Sequence, residues 1–254
     1  YNDSPSELIY DEFENTVFQG HPLGRSILGD ASRLRQLTTD DILRFTRRLY
    51  TPSRSVLFVY GPVSPTRIKA IASKYGPSNT CPLPDTPRTS LPPYCQQTVT
   101  RSLDTHQAHV MIGTRAFAAQ HPLHMPLCLL SNMLGGPGLN SRLNQTLRER
   151  HGLVYTVESN LTSYTDTGVW AVYFGCDPSQ ADRCIALVQT ELDKLLRAPL
   201  STAALQAAKR QFKGQLGLSY DNFENVAIGM GKRFLHYCNT LSHQQLCERI
   251  DAHT

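Results

Sequence analysis

A chain of 254 residues, 40% of them hydrophobic, has room for one large globular domain or two smaller ones. The net charge is +4, and the 25 Lys and Arg are interspersed with 21 acids, which argues against a nucleic-acid surface, where cations gather into a patch or run. No apolar stretch approaches the ~20 residues of a membrane span. No signal-peptide pattern is visible either, and a chain that starts at Tyr1 within a polar phrase is expected to be a fragment.

Ser4-Pro5-Ser6-Glu7 reads as a capping box with proline at the first helical position, and Leu8, Ile9, Phe13, Val17 and Phe18 give helical spacing over about residues 5–18. Gly20 to Gly24 ends that helix and opens a loop past Gly29. A second helix is expected from Thr38, with Asp40 and Asp41 in its first turn, an apolar stripe of Ile42, Phe45 and Leu49, and Pro52 beyond its end. Arg44, Arg47 and Arg48 read as its solvated face. Residues 55–60 predict a short apolar strand, and Ser64-Pro65 caps a third helix with Ile68, Ile71, Ala72 and Tyr75 inward. Residues 76–94 hold six prolines, which exclude a helix or central strand and mark the best domain boundary.

Beyond it, strands are expected at 96–101 and 106–113, then a buried helix over 122–134. Gly135-Gly136-Pro137-Gly138 makes a tight loop that another backbone can approach, followed by a short charged helix from Asn144 that stops at Gly152. Strands at 153–161 and 168–175 join through the hairpin signal at 164–168, and apolar residues on both faces of the second imply that both are covered. Asp177-Pro178 opens a helix that Pro199 stops, and Ser201 opens another. Asp221 to Glu224 resembles a capping box, and a last helix runs from Ser242 to near Thr254 without a stop signal, so this end also looks cut. Paired strands with helices on one face predict an α+β fold with a mainly antiparallel sheet.

Little in the sequence points to self-contained catalysis. HExxH and HxxEH are absent. His106 and His109 point to opposite faces of a strand, Pro122 sits within the His121/His124 pair, and a catalytic zinc needs about three convergent ligands. The plainer alternative is surface or partly buried histidines. No GxSxG elbow occurs, and the glycine loop lacks the P-loop and dinucleotide patterns. Seven cysteines without a CxxC pair read as reduced thiols, several of them core-facing, in a reducing, cytoplasmic compartment, with an envelope location as the alternative. Arg148 and Tyr155 lie seven residues apart, and both can donate to a peptide carbonyl or a carboxylate. Equally, Arg148 can pair with a nearby acid while Tyr155 packs under the sheet, and residue chemistry alone favours that plainer alternative.

LGGPGLNSRLNQTLRERHGLVYTVES, residues 134–159, resembles the second domain of the pitrilysin-type zinc metallopeptidases, which include the mitochondrial processing peptidases and insulin-degrading enzymes. That domain typically reads GG(G/x)xxSRLxxxxRexxGLaY. NDSPSELIYDEF, HPLGRSILGD, LTTDDILRFTRRLYTPSRSVLFVYGPV and IASKYGP resemble the end of the family's first domain. The resemblance implies residues 1–76 as the tail of a first, zinc-bearing domain, 77–94 as a linker and 95–254 as a second, non-catalytic domain. It implies an extended peptide as substrate, contacted by Arg148 and Tyr155 and by the loop at Gly135, Gly136 and Gly138. Zinc is expected in the complete enzyme and not in this chain, since HxxEH is missing and the distal glutamate would fall just before Tyr1. No catalytic or metal-ligating residue is therefore assigned here. The partner is a zinc-bearing domain upstream or on another subunit, in a homodimer or heterodimer, with no nucleic acid and no membrane span. The alternative is a non-enzymatic assembly member of the same family.

Overall fold

The computed structural model describes residues 4–76 and 88–253. Most of the proline-rich stretch, including Pro77, Pro82, Pro84 and Pro87, lies outside them; residues 88–94 form neither helix nor strand. Contacts group the chain into two compact units built from separated stretches. The first takes the N-terminal stretch to Leu28, Thr89–Phe212 and the residues from Asp251, and the second takes the described parts of Gly29–Arg88 with Lys213–Ile250. This division by contact differs from the linear one at residues 77–94, which concerns the parent domain of each segment.

The first unit is built on three strands, β1 (Ala108–Ala116), β2 (Val154–Ser163) and β3 (Gly168–Cys176), antiparallel in the order β1-β3-β2. The hairpin is closed by Tyr164 N–H donating to the Thr167 carbonyl at 2.8 Å. β3 is the centre, pairing from Ala108↔Cys176 to Ala116↔Gly168 on one edge and from Val154↔Cys176 to Ser163↔Gly168 on the other. Residues 96–101 join no sheet, and Val99 is exposed. β-propensity alone does not make a strand where no neighbour offers its backbone.

Both faces of β3 are buried. Val172, Phe174 and Cys176 pack with Leu134 of α5 (His124–Gly135), with Leu143 and Leu147, and with Cys184 and Val188 of α6 (Ala181–Arg197). The other face carries Val169, against which pack Val17 and Phe18 at the end of α1 (Pro5–Val17). Helices therefore cover two faces and not one, because the odd positions of β3 are as apolar as the even ones. Arg115 on β1 secures α1: its Nε donates to the Val17 carbonyl at 3.1 Å and its guanidinium lies over the Phe18 ring. A cation at a helix C-terminus satisfies a free carbonyl and matches the dipole. The capping box expected at Ser4 does not form; the Ser4 hydroxyl lies 3.2 Å from that of Ser6, and the Glu7 and Leu8 amides donate to the Ser4 carbonyl.

The second unit contains α2 (Ala31–Gln36), α3 (Thr39–Leu49), α4 (Pro65–Tyr75), α8 (Phe223–Tyr237), and parts of α7 (Thr202–Tyr220) and α9 (His243–Asp251). The α3 cap is a full box: Thr38 Oγ1 accepts from the Asp41 amide and Asp41 accepts from the Thr38 amide. Asn222, not Asp221, caps α8, accepting from the Glu224 and Asn225 amides at 3.0 and 3.1 Å. α9 ends at Asp251, short of the expected reach to Thr254. The strand expected at 55–60 is extended but unpaired; Phe58 packs near Gly231 of α8 and Tyr60 stacks on Phe223 at 5.3 Å. The stripes expected inward on α3 and α4 lie partly open: Ile42, Phe45, Ile71 and Tyr75 are exposed, while Leu49, Ile68 and Ala72 are half-buried.

Phe18 is fully buried, so Phe18→Ala is expected to destabilise the first unit by about 3–5 kcal/mol. Urea unfolding measures this, and a loss under about 1 kcal/mol would mean that α1 is not docked on the sheet.

Candidate functional site

The glycine loop starts where α5 ends against β2. A Cβ on Gly135 would stand 2.5 Å from the Ser159 amide nitrogen, so only glycine lets the end of α5 lie on that strand. The close approach foreseen at this loop is made, at Gly135, by the chain's own backbone. Ser131 Oγ lies 2.7 Å from Ser159 Oγ, which also accepts from Trp170 Nε1 at 3.0 Å, tying α5, β2 and β3 together. Gly136 is buried against Asn132. Gly138 stands beside Asn140 and Gln211, whose side-chain amides exchange hydrogen bonds of 3.0 and 3.1 Å and fix the loop to α7.

Asn144–Arg150 follows as a π-helical turn, whose backbone hydrogen bonds span one residue more than those of the α-helix expected there. Leu143 and Leu147 are fully buried and anchor it. The turn closes with Gly152 N–H donating to the Arg148 carbonyl and Leu153 N–H to the Leu147 carbonyl, both at 2.9 Å. Gly152, at φ +61°, takes the left-handed conformation that ends it. Two residues later the β2–β3 register skips one residue: Val154 faces Cys176 and Thr156 faces Gly175. Tyr155 is the extra residue of a β-bulge, its side chain 75% exposed.

Arg148 and Tyr155 are brought to one groove of ≈ 480 Å³, together with Gly135 and Gly136; Gly138 does not line it. Residues 155–161 of β2 line it consecutively, so it follows the edge of β2 that β3 leaves unpaired. Such an edge presents free backbone donors and acceptors, except at Ser159, whose carbonyl accepts from Ser131 Oγ at 3.2 Å. Arg148 is exposed and, among the described residues, its side chain joins no ion pair or side-chain hydrogen bond. Neither half of the plainer reading, an acid on Arg148 and Tyr155 packed beneath the sheet, is met.

Arg148 and Glu158 are the charged side chains lining the groove. Glu158 accepts from the Tyr10 hydroxyl, which accepts in turn from Asn160 Nδ2 at 3.2 Å. Burial first, then the hydrogen bond and charge of Glu158, push the Tyr10 phenol well above its ordinary range, so it remains a donor. Burial pushes the Cys128 thiol up to about 11, so the groove's thiol is neutral and no activated nucleophile.

Behind the loop, Glu191 of α6 is 4% exposed. Its oxygens accept from Arg142 Nε at 3.2 Å and Lys194 Nζ at 2.6 Å. Burial alone would raise its pKa; the bonds from Lys194 and Arg142 outweigh that and hold it below its ordinary value. Glu158 and Tyr10 carried no sequence signal, because they meet only through the fold; of the partners of Glu191, Lys194 is local to the helix and Arg142 is brought by the fold.

The histidines are occupied separately. His109 Nδ1 lies 2.9 Å from the Tyr173 hydroxyl, His124 Nε2 lies 2.8 Å from Ser163 Oγ, and His121 Nδ1 accepts from the Leu123 amide. Among the described residues no three His, Cys, Asp or Glu side chains converge on a point where a metal could bind.

Residues 36–212 match the family model described as the peptidase M16 inactive domain. The chain is 31% identical to the uncharacterized zinc protease YmxG of Bacillus subtilis, over 92% of this chain and 57% of that protein. It is 29% identical to the probable mitochondrial-processing peptidase subunit beta of Schizosaccharomyces pombe, over 96% of this chain and 56% of that one. It thus spans a little over half the length of these relatives. In fold it resembles the crystal structure of a peptidase M16 inactive domain from Pseudomonas fluorescens, with TM-score 0.77, 20% identity, and 100% of this chain and 63% of that chain covered. It also resembles a chain of complex III2 from Candida albicans, with TM-score 0.78, 18% identity, and 100% and 62% covered.

The depressed pKa of Glu191 sets a sign for stability. Its contribution is complete above its ordinary value of 4.5 and fades as pH falls through the lower folded value. The urea midpoint of the wild type should exceed that of Glu191→Gln by a constant margin between about pH 7 and 5 and by a shrinking one below about pH 4. A margin that persists undiminished at about pH 2 would contradict the ion-pair account.

Proposed function

Because the chain belongs to the peptidase M16 inactive-domain family, we propose that it is the non-catalytic, substrate-positioning part of a zinc metalloendopeptidase. One observation carries the proposal: Arg148 and Tyr155 lie exposed on a groove that follows an unpaired strand edge. An extended peptide suits that edge, since its backbone can bond to β2 while side chains alternate into and out of the groove. The Arg148 guanidinium offers several fixed donors and the Tyr155 hydroxyl one, enough to orient a carbonyl or carboxylate of the bound peptide.

The described residues do not group three metal-ligating side chains, and no step of bond cleavage is assigned to them on this reading. In the complete protein zinc would come from a domain upstream or from another subunit of a homodimer or heterodimer. The relative named a processing-peptidase subunit agrees with a multi-subunit arrangement. A purely assembling role is the second reading, favoured by the fold shared with a complex III chain.

Metal analysis of the full-length protein separates the two: the enzyme reading expects about one zinc per chain or per assembled active site, and none at all would sink it. In the zinc-containing full-length protein, Arg148→Ala is expected to lower kcat/KM for peptide cleavage about 10- to 100-fold, the cost of losing a charged hydrogen bond. Tyr155→Phe should lower it about 2- to 10-fold. Unchanged cleavage by Arg148→Ala would count against the groove as a peptide site.

A further inference from the structure

Glu191 is an unusual occupant of its place. The inward stripe of α6 is otherwise apolar, with Cys184 and Val188 fully buried. An ionised carboxylate at that depth is costly unless its oxygens are paired, and a hydrophobic side chain of similar size would pack there at less cost. Both oxygens are paired, but by unlike partners. Lys194 sits one turn further along the same helix with its side chain 54% exposed, so it neutralises Glu191 without reaching beyond α6. Arg142 comes from 49 positions away, at the end of the glycine loop, directly before Leu143 and the π-helical turn.

We propose that Glu191 is a positioning residue for Arg148: by holding Arg142 it fixes where the π-helical turn begins, and so the direction in which Arg148 leaves it toward the groove. This rests on the reading of Arg148 as a peptide contact. Glu191 itself touches no substrate. The Arg142–Glu191 bond and the buried Leu143 and Leu147 hold the turn against the core, beside the local Asn144–Ser141 and Gln145–Leu139 hydrogen bonds and the Asn140–Gln211 pair of the preceding loop. The ion pair is the directional bond that ties Arg142 itself to α6, since apolar contacts tolerate sliding and a guanidinium–carboxylate bond does not. The π-helical turn is a hydrogen-bonded unit with its own rotation per residue, so the aim of Arg148 follows the orientation of the whole turn, which is held at its start by Arg142. A misplacement of about 1 Å at a contact that orients substrate can cost about 100-fold in rate.

The test is a double-mutant cycle in the zinc-containing full-length protein, read by peptide cleavage and by amide hydrogen exchange. Glu191→Gln should lower kcat/KM roughly 10-fold and speed exchange over residues 143–153 while leaving β3 protected. In an Arg148→Ala background the same change should alter kcat/KM by less than about 2-fold, because there is no longer an arginine to aim. Arg142→Gln should behave as Glu191→Gln does, which keeps the test intact if the latter does not fold. Lys194→Gln should leave cleavage within about 2-fold of wild type, as it removes a partner of Glu191 without freeing the loop. Additive losses in the cycle, unchanged exchange over residues 143–153, or equal losses in Lys194→Gln and Arg142→Gln would each overturn the proposal. If Arg148→Ala alone leaves cleavage unchanged, the peptide-site reading fails, and the hold of Glu191 on the turn is then decided by the exchange measurement.

Discussion

The first unit depends on one strand being buried on both faces and paired on both edges. β3 meets that demand with an almost unbroken apolar run, Gly168–Cys176, in which every residue but the half-buried Trp170 is buried. Its even positions receive α5, α6 and the π-helical turn, and its odd positions receive α1. Once β3 is central, β1 and β2 are edges of the sheet, and the groove follows from that: a free strand edge beside the end of α5.

The two residues of greatest functional interest both sit where regular structure carries one residue too many. Arg148 lies in a π-helical turn, and Tyr155 is the extra residue of a β-bulge. Each insertion turns a side chain away from the packing that a regular helix or strand would have given it. Both irregularities lie within the stretch from Leu143 to Val157, which the core holds at Leu143, Leu147, Val154 and Val157. The apolar residues fix the backbone and the extra residues face the groove, a division suited to a site that must be rigid and still accessible.

The second unit shows the reverse relation between pattern and burial. α3 has a complete capping box and a well-segregated apolar stripe, as α6 has a stripe, yet Ile42 and Phe45 are exposed while Cys184 and Val188 are buried. Capping acts within four residues and needs nothing else. Burial needs a second surface, and the periodicity of a helix states which side wants a cover without supplying one.

Local signals were therefore legible to the degree that they were local. Helix α1, the hairpin, the Thr38 start and the Gly152 stop could all be read from residue type and spacing, and the two-sided covering of β3 from its composition. The short helix α2 escaped notice, although Asp30 caps it by accepting from the Ser32 and Arg33 amides. Residues 55–60 and 96–101 have strand composition but no paired neighbour, and pairing is not a property of one segment. By itself the sequence determined the α+β class, because hydrophobic period is written in one dimension, and the family, through its resemblance to the pitrilysin-type peptidases; that resemblance, and not residue chemistry, drew attention to Arg148 and Tyr155. The tertiary structure alone decided that Arg148 meets no acid among the described residues, that Tyr155 points outward, that Gly135 serves the chain's own packing, and that Glu191 stands behind the loop. Each of these depends on which distant groups share a few ångströms, and that is set only when β3 is buried and its neighbours close around it.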